Sequence, residues 1–307
     1  MDAGERELFA KVVQDAVARG GDLDAALAEL GWAEALADDE PTAVAALFEA
    51  QGRAGATSGA LALVLGRALD APLDAVVVLP TFGRTAPPGS VADDTVTVTG
   101  LALGGEGPLV VPCGAVLATV AAGALRPRPI HGLDPGLGLV ELRGSAEAAT
   151  RPLAPGAWEA ALAAGQRAVA HQLVGAAAQI LALAREHALD RVQFGVPIAS
   201  FQALRHKLAD TYVAVESARA ALDAAWEDRS PFPASVAKAI AGRAGRLAAT
   251  HGQQVLAGIG FTTEHPLHTY VRRVRALDGL LGDSRTLTQA IGGQLLEAKG
   301  LPALLPL

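Results

Sequence analysis

Glu264, His265 and His268 lie close together, at a spacing where imidazole and carboxylate groups can ligate a metal. No second cluster of ligating residues supports them, so a solvent-facing or capping role is expected and no metal is assigned. Gly104-Gly105-Glu106-Gly107 has the glycine density of a phosphate loop but lacks the following lysine and a helix to anchor it, so it reads as a turn. The one cysteine, Cys113, excludes an internal disulfide framework and a cysteine-rich zinc site. Following Pro112, it reads as a buried small residue. Arg272-Arg273-Val274-Arg275 is the kind of basic run that usually forms a solvated face.

These residues sit in three regions of different texture. Residues 1–75 read as an N-terminal helical domain: Leu8, Val12, Val13 and Val17 recur at helical spacing, as do Leu23, Leu27 and Leu30. Leu30-Gly31-Trp32 reads as a helix end followed by a buried anchor, and Pro41-Thr42 as the first turn of a further helix. Residues 76–150 form a small middle β domain. Val76–Leu79, Thr95–Val98 and Leu109–Val111 are short β-prone runs bounded by glycine and proline. Residues 151–307 are helical again, with apolar stripes Leu162/Val169/Leu173/Ile180, Leu204/Leu208/Tyr212/Val215 and Val236/Ile240/Leu247/Val255. Three or four long antiparallel helices with short connections make an up-down bundle. The fold class is therefore mainly α with a small β domain.

Bulk properties narrow the function. The 307 residues are 51% hydrophobic, enough for a sizeable core. A formal net charge of −7 argues against a nucleic-acid partner, which requires a basic face. The most apolar stretch, Ala60 to Pro80, is broken by Arg67, Asp70 and Asp74, so no membrane span is expected there. The expected location is the cytoplasm.

Three stretches of the C-terminal half resemble the acyl-CoA dehydrogenase family. The first is Asp190-Arg191-Val192-Gln193-Phe194-Gly195-Val196-Pro197-Ile198, continued by Phe201-Gln202 and Leu208-Ala209-Asp210. The second is Gln254-Val255-Leu256-Ala257-Gly258-Ile259-Gly260-Phe261-Thr262 with Glu264-His265-Pro266, and the third is Tyr270-Val271-Arg272-Arg273. Their order and spacing match the family's helix bundle over about residues 155–293. The N-terminal helices fit more loosely, and the β region matches poorly. The resemblance implies an acyl-CoA dehydrogenase-like fold with reduced N-terminal and middle domains and a C-terminal four-helix bundle, and a structural role for the first arginine of the third stretch, Arg272. It also implies an FAD site shared between two subunits, with Arg191, Phe194, Gln202, Gln254 and Gly258 contacting the pyrophosphate and adenine side of a partner's cofactor. The residue types suit that role: Arg191 offers a planar, always-charged fork to a diphosphate, Phe194 an apolar face, and Gly258 a backbone without Cβ. Arg191 pairing with a surface acid is the plainer alternative.

What the resemblance lacks is equally informative. The family abstracts the substrate's α proton with a glutamate at one of two positions, which here fall at Leu281 and near Gly165/Gln166. None is acidic. Glu159, Asp278 and Asp283 are nearby in sequence, but one helical turn displaces a carboxylate by about 5 Å, too far for direct abstraction. The family's flavin-ring segment has no counterpart; Thr81-Phe82-Gly83-Arg84-Thr85-Ala86-Pro87-Pro88-Gly89 stands in its place. The expectation is thus a trimmed, non-catalytic partner subunit, as in the actinobacterial α2β2 enzymes acting on steroid-derived acyl-CoA thioesters, whether of the side chain or a ring fragment. The partner would carry the glutamate, and an electron-transfer flavoprotein would accept the electrons. Two alternatives stand beside it: a structural subunit that never touches FAD, and a complete enzyme with a relocated base such as Asp283 or Glu159.

Overall fold

The computed structural model describes residues 1–103, 105 and 107–300. The loop read as Gly104-Gly105-Glu106-Gly107 therefore lies partly outside the described residues. Five helices open the chain: α1 (Ala3–Arg19), α2 (Leu23–Glu29), α3 (Trp32–Asp38), α4 (Glu40–Ala54) and α5 (Ala60–Ala68). Aspartates start three of them. Asp2 forms a reciprocal capping box with Glu5, and Asp22 and Asp39 accept from the Ala25 and Thr42 amides. Gly31 takes φ +66° between α2 and α3, which turns the chain so that Trp32 is buried with only 1% exposed. The Trp32 indole N–H donates to the Ala43 carbonyl at 3.2 Å, fastening α3 to α4.

Two four-stranded sheets follow. β1 (Val76–Val77), β4 (Leu109–Cys113), β5 (Val116–Val120) and β8 (Ala149–Pro152) form one, in the order β1-β4-β5-β8. β2 (Gly89–Ala92), β3 (Thr95–Leu103), β7 (Leu139–Glu147) and β6 (Arg128–Pro129) form the other, in the order β2-β3-β7-β6. The sheets bury a valine-rich core of Val78, Val96, Val98, Val111 and Val120 between them. Thr95–Val98 shows why: its threonines are exposed and its valines buried, the alternation that a half-covered strand imposes. β3 and β7 pair over nine residues each, from Thr95 opposite Glu147 to Leu103 opposite Leu139, so these strands are longer than the sequence runs indicate. Cys113 is half-buried at the end of β4, and burial pushes its thiol up to about 11, which makes it inert.

The remainder is helical: α6 (Ala157–Asp190), α7 (Gln202–Glu227), α8 (Pro231–Leu256), α9 (Leu267–Gly279) and α10 (Ser284–Ala298). Between α6 and α7 lies a small hairpin, β9 (Val192–Gln193) and β10 (Val196–Pro197). By length and composition α6 is apolar enough to cross a membrane, but 72% of its most apolar stretch is buried inside the protein, where it serves as the axis of the bundle. Small residues set how closely its neighbours approach. A Cβ on Gly175 would overlap the Glu49 carbonyl of α4, and one on Gly52 of α4 would overlap the Gln172 carbonyl of α6. The two helices therefore cross backbone to backbone.

Two apolar stripes are corrected. Tyr212 is 57% exposed, because its face of α7 points away from α6. On α8 the buried residues are mostly small, among them Ala234, Ala237, Ala241, Ala244, Gly245, Ala248 and Gly252; Val255 is buried near the helix end, whereas Val236, Ile240 and Leu247 are only half-buried. Bulky side chains cannot fit where α8 meets α6 so closely, so they turn to the flank. Gly175→Ala is expected to destabilise the protein by about 2–3 kcal/mol by forcing α4 off α6. Gly292→Ala, where a Cβ meets nothing within 4 Å, should be neutral or stabilising by about 0.5 kcal/mol. Urea unfolding of both variants checks the contrast.

Candidate functional site

The two positions at which a base is expected converge in space, and both are closed. Leu281 is fully buried, and a Cβ on Gly165 would come within 2.6 Å of its Cδ1 and 3.0 Å of Leu65 Cδ1. Leucine side chains thus fill the volume over α6 that a carboxylate and an acyl chain would need. Gln166 is spent on structure: its Nε2 donates to the Leu281 carbonyl at 2.9 Å, and its Oε1 accepts from Ser235 Oγ at 3.1 Å. The loop is held from the other side by Lys238, which is fully buried and whose ammonium donates to the carbonyls of Asp278 (2.9 Å) and Gly282 (3.2 Å). Burial pushes Lys238 down to about 8, against the opposing pull of Asp278 and Asp283.

The nearby acids are likewise committed. Asp278 accepts from the Ser284 amide (3.0 Å) and hydroxyl (3.2 Å). Asp283 caps α10, accepting from the Arg285 and Thr286 amides at 2.9 and 2.8 Å. Burial pushes the Asp283 carboxyl up, but the Thr286 and Arg285 bonds and the Lys238 charge outweigh it and hold the group below its usual value. Glu159 is exposed in the first turn of α6. Residues 81–88 then cover the loop: the Gly83 amide donates to the Gly279 carbonyl (2.8 Å), Phe82 packs on Gly279, and Thr85 packs on Gly282. The Trp158 indole donates to the Thr85 carbonyl at 3.1 Å and pins this strap to α6.

In the basic run of α9 the structural arginine is the second, not the first. Arg272 is exposed, whereas Arg273 is buried, pairs with Asp134 and donates to the Ala56 carbonyl at 2.7 Å. The register of α9 decides this, since it turns position 273 toward the β domain. His265 has the capping role expected of it, its Nδ1 accepting from the Leu267 amide at 3.1 Å. Among the described residues no group of three or more His, Cys, Asp or Glu is arranged to hold a metal.

The opposite end of the bundle is open. Arg191 ends α6, Gln202 begins α7, and Gln254 and Gly258 lie where α8 passes into a short 3₁₀ turn, Ala257–Phe261. Because α6, α7 and α8 run antiparallel in turn, these termini share one end of the bundle. Phe194 sits at the tip of the β9–β10 hairpin with φ +54°, followed by Gly195 at φ +83°. This pair is the two-residue turn that a tight hairpin favours, but with a bulky residue where a small one is usual. Phe194 is 92% exposed and meets Phe201 edge-to-face at 6.2 Å. A Cβ on Gly258 would meet nothing within 4 Å, so the backbone is open to a ligand there. Among the described residues Arg191 makes no salt bridge. Strain, an uncovered aromatic, an available guanidinium and a bare backbone all occur on one surface, a donor set that suits an aromatic diphosphate.

The two ends are far apart. The 26 residues from Gly165 to Arg191 along α6 span about 39 Å at 1.5 Å per residue. A base must act within about 3 Å of its proton, so the residues of the open end cannot contribute to proton abstraction at the base positions of their own chain.

A sequence profile described as the acyl-CoA dehydrogenase C-terminal domain matches residues 157–296. This stretch is similar to the C-terminal domain of the acyl-CoA dehydrogenases. Acyl-CoA dehydrogenase IpdE2 of Mycobacterium tuberculosis is 36% identical over 171 residues, covering 56% of this chain and 52% of that protein. IpdE2 of Mycolicibacterium smegmatis is 39% identical over 117 residues, 38% of each chain. The matched stretch thus spans about half the length of the first of these relatives and less of the second. Over the whole chain the fold is that of acyl-CoA dehydrogenases. It superimposes on the Tcur3481–Tcur3483 steroid ACAD G363A variant with a TM-score of 0.81 at 22% identity, covering 96% of this chain and 99% of that one. The ChsE4–ChsE5 complex from Mycobacterium tuberculosis gives 0.80 at 23% identity, covering 99% of both chains.

Three features escaped the sequence reading. Phe201, which completes the aromatic pair with Phe194, lies inside the resembling stretch and was readable there. Lys238 had a signal too, as a lone lysine on an alanine-glycine helix face. The strap gave none, because nothing in Thr81–Pro88 announces what it covers. Ala257 takes φ +51°, ψ −130°, a conformation that penalises any Cβ. Ala257→Gly is therefore expected to stabilise the protein by about 1 kcal/mol, read as a higher thermal midpoint. Lys238 supplies a pH signature. Its value is about 8 in the folded chain against 10.5 for an ordinary lysine, so the unfolded chain binds more protons between those limits and stability rises with pH across that window. Relative to Lys238→Met, the wild-type urea midpoint should climb from pH 8 to 10.5.

Proposed function

We propose that this chain is the non-catalytic subunit of a heteromeric FAD-dependent acyl-CoA dehydrogenase, an α2β2 assembly in which it completes its partner's FAD site. The observation that carries this reading is the division between its two ends: the base positions are sealed by leucine, while the bundle end is open and bears Arg191, Phe194, Gln202, Gln254 and Gly258. Arg191 would take a diphosphate oxygen pair, Phe194 an apolar face of the cofactor, and Gln202 and Gln254 its polar edge, with Gly258 admitting the backbone. Bound FAD would supply the hydride acceptor, while the catalytic carboxylate and the flavin-ring contacts would come from the partner. This chain's own residues bind and orient, and its Leu281, Gly165 and strap keep acyl ligand and water out of the vestigial site.

Support for a heteromeric assembly also comes from the two solved complexes above, one a steroid ACAD and the other named as ChsE4–ChsE5. By analogy the substrate is a steroid-derived acyl-CoA, with electrons passing to an electron-transfer flavoprotein. A scaffold that never touches FAD explains the sealed end but not the strained, exposed Phe194 beside an available arginine. A relocated base is disfavoured because Asp278 and Asp283 already accept structural hydrogen bonds.

The chain expressed alone should bind no FAD and show no dehydrogenation. Co-expressed with its partner, it should yield a complex holding half-stoichiometric FAD. Arg191→Ala should strip most of that FAD while leaving the complex assembled, as measured by flavin absorbance after gel filtration. Full FAD retention by the variant would favour the scaffold, and stoichiometric FAD on the isolated chain would overturn the reading.

A further inference from the structure

The open end of the bundle is rich in histidine. Five of the chain's seven histidines lie there: His187 on α6, His206 on α7, His251 on α8, and His265 and His268 at the approach to α9. Three have a ring nitrogen within reach of a side chain or a carbonyl. His251 Nδ1 lies 3.0 Å from both Thr211 Oγ1 and the Lys207 carbonyl, His206 Nε2 lies 3.3 Å from Gln202 Nε2, and His268 Nδ1 lies 2.8 Å from the His265 carbonyl. The other two face each other edge-on, with ring centroids 6.5 Å apart, and His187 is one helical turn before Arg191.

We propose that His187 and His265 extend the diphosphate-binding surface of Arg191, and that anion binding there is coupled to proton uptake by His187. This deepens the preceding section and rests on it. The two imidazoles play different parts. His265 accepts the Leu267 amide on Nδ1, so its neutral ring carries hydrogen on Nε2 and is a fixed donor. No comparable bond fixes His187 among the described residues, which leaves it free to gain a proton. Its surroundings disfavour the proton: burial, then the Arg191 charge, push its basicity down, with Asp190 opposing. Burial, His187 and His268 do the same to His265, with Glu186 opposing.

The other charged and titratable groups acting on the pair are Asp190 and Arg191 on His187, and Glu186 of α6 and His268 of α9 on His265. The packed hairpin strands, Val192–Gln193 and Val196–Pro197, contribute no charge. A phosphate oxygen beside Arg191 offsets the repulsion by which the guanidinium disfavours protonation of His187. Binding then raises the affinity of His187 for a proton, and the ligand binds more tightly as pH falls.

The test is an FAD titration of the apo complex between this chain and its partner, followed by flavin fluorescence from about pH 7.5 to about pH 6. The dissociation constant should fall about threefold to tenfold over that range, as one linked proton allows, and the slope should vanish in His187→Gln. Calorimetry of the wild-type complex in two buffers of different ionisation enthalpy gives proton uptake independently of any variant, and a value near zero overturns the proposal. A slope unchanged in His187→Gln also overturns it. If Arg191→Ala binds FAD as well as wild type, the shared-site reading itself has failed. If Arg191→Ala loses FAD but His187→Gln keeps the wild-type slope, only the proton linkage has failed.

Discussion

The contact on which the architecture depends is the backbone-to-backbone crossing of α4 and α6 at Gly52 and Gly175. Each glycine faces a carbonyl of the other helix with no room for a methyl group. With the helices this close, the side chains around the crossing must be small, and alanine fills α6 and the buried face of α8. Burial of many small side chains, rather than a few aromatic ones, supplies the hydrophobic stabilisation. That also explains how a chain with only 4% aromatic residues builds a continuous core. Close packing leaves little free volume inside the bundle, so a ligand must be met at an end or an edge.

The closure of the base positions follows from the same economy of space. Gly165 lies on α6 where Leu65 and Leu281 meet, and the two leucines occupy the room that the absent side chain leaves. Replacing a loop glutamate by leucine would by itself leave a mobile loop with an apolar tip. Here the loop is tied by Gln166 and Lys238 and roofed by Phe82 and Thr85. A buried lysine is an expensive tie, since its ammonium leaves water for two carbonyls and neighbouring carboxylates. It does, however, satisfy the carbonyls of Asp278 and Gly282, which would otherwise be buried without donors.

Much of this was legible in the sequence. Helix, strand and helix textures follow from periodicity, and Leu30-Gly31-Trp32 and Pro41 marked their turns correctly because capping chemistry is local. The failures were failures of facing. Tyr212 and the Ile240–Leu247 stripe have the right spacing, but their burial depends on how near a second helix comes, which a single helix's pattern does not encode. Arg272 and Arg273 are chemically identical neighbours, and only the register of α9 against Asp134 distinguishes them. The length of β3 was hidden because Gly100 and Ala102 interrupt its β-prone run, although Gly100 is required there by the close approach of Leu79 and Val78. Of the candidate site, the residues were legible through their resemblance, whereas the strain at Phe194 and the seal over Leu281 were not.

Rigidity and exposure are distributed between the two ends in a way that bears on function. The sealed end is fixed by bonds from buried side chains. At the open end, Val192, Phe194, Val196, Phe201, Ile259 and Phe261 are all exposed. An isolated exposed apolar residue needs no explanation, but a group gathered on adjoining turns and hairpins does. Phe194 adds a second argument, because φ +54° costs energy that a glycine at that position would avoid. Within this chain the conformation gains only an edge contact with Phe201. Contacts from outside the chain, such as the proposed cofactor or subunit laid across Arg191 and Gly258, would offset that strain.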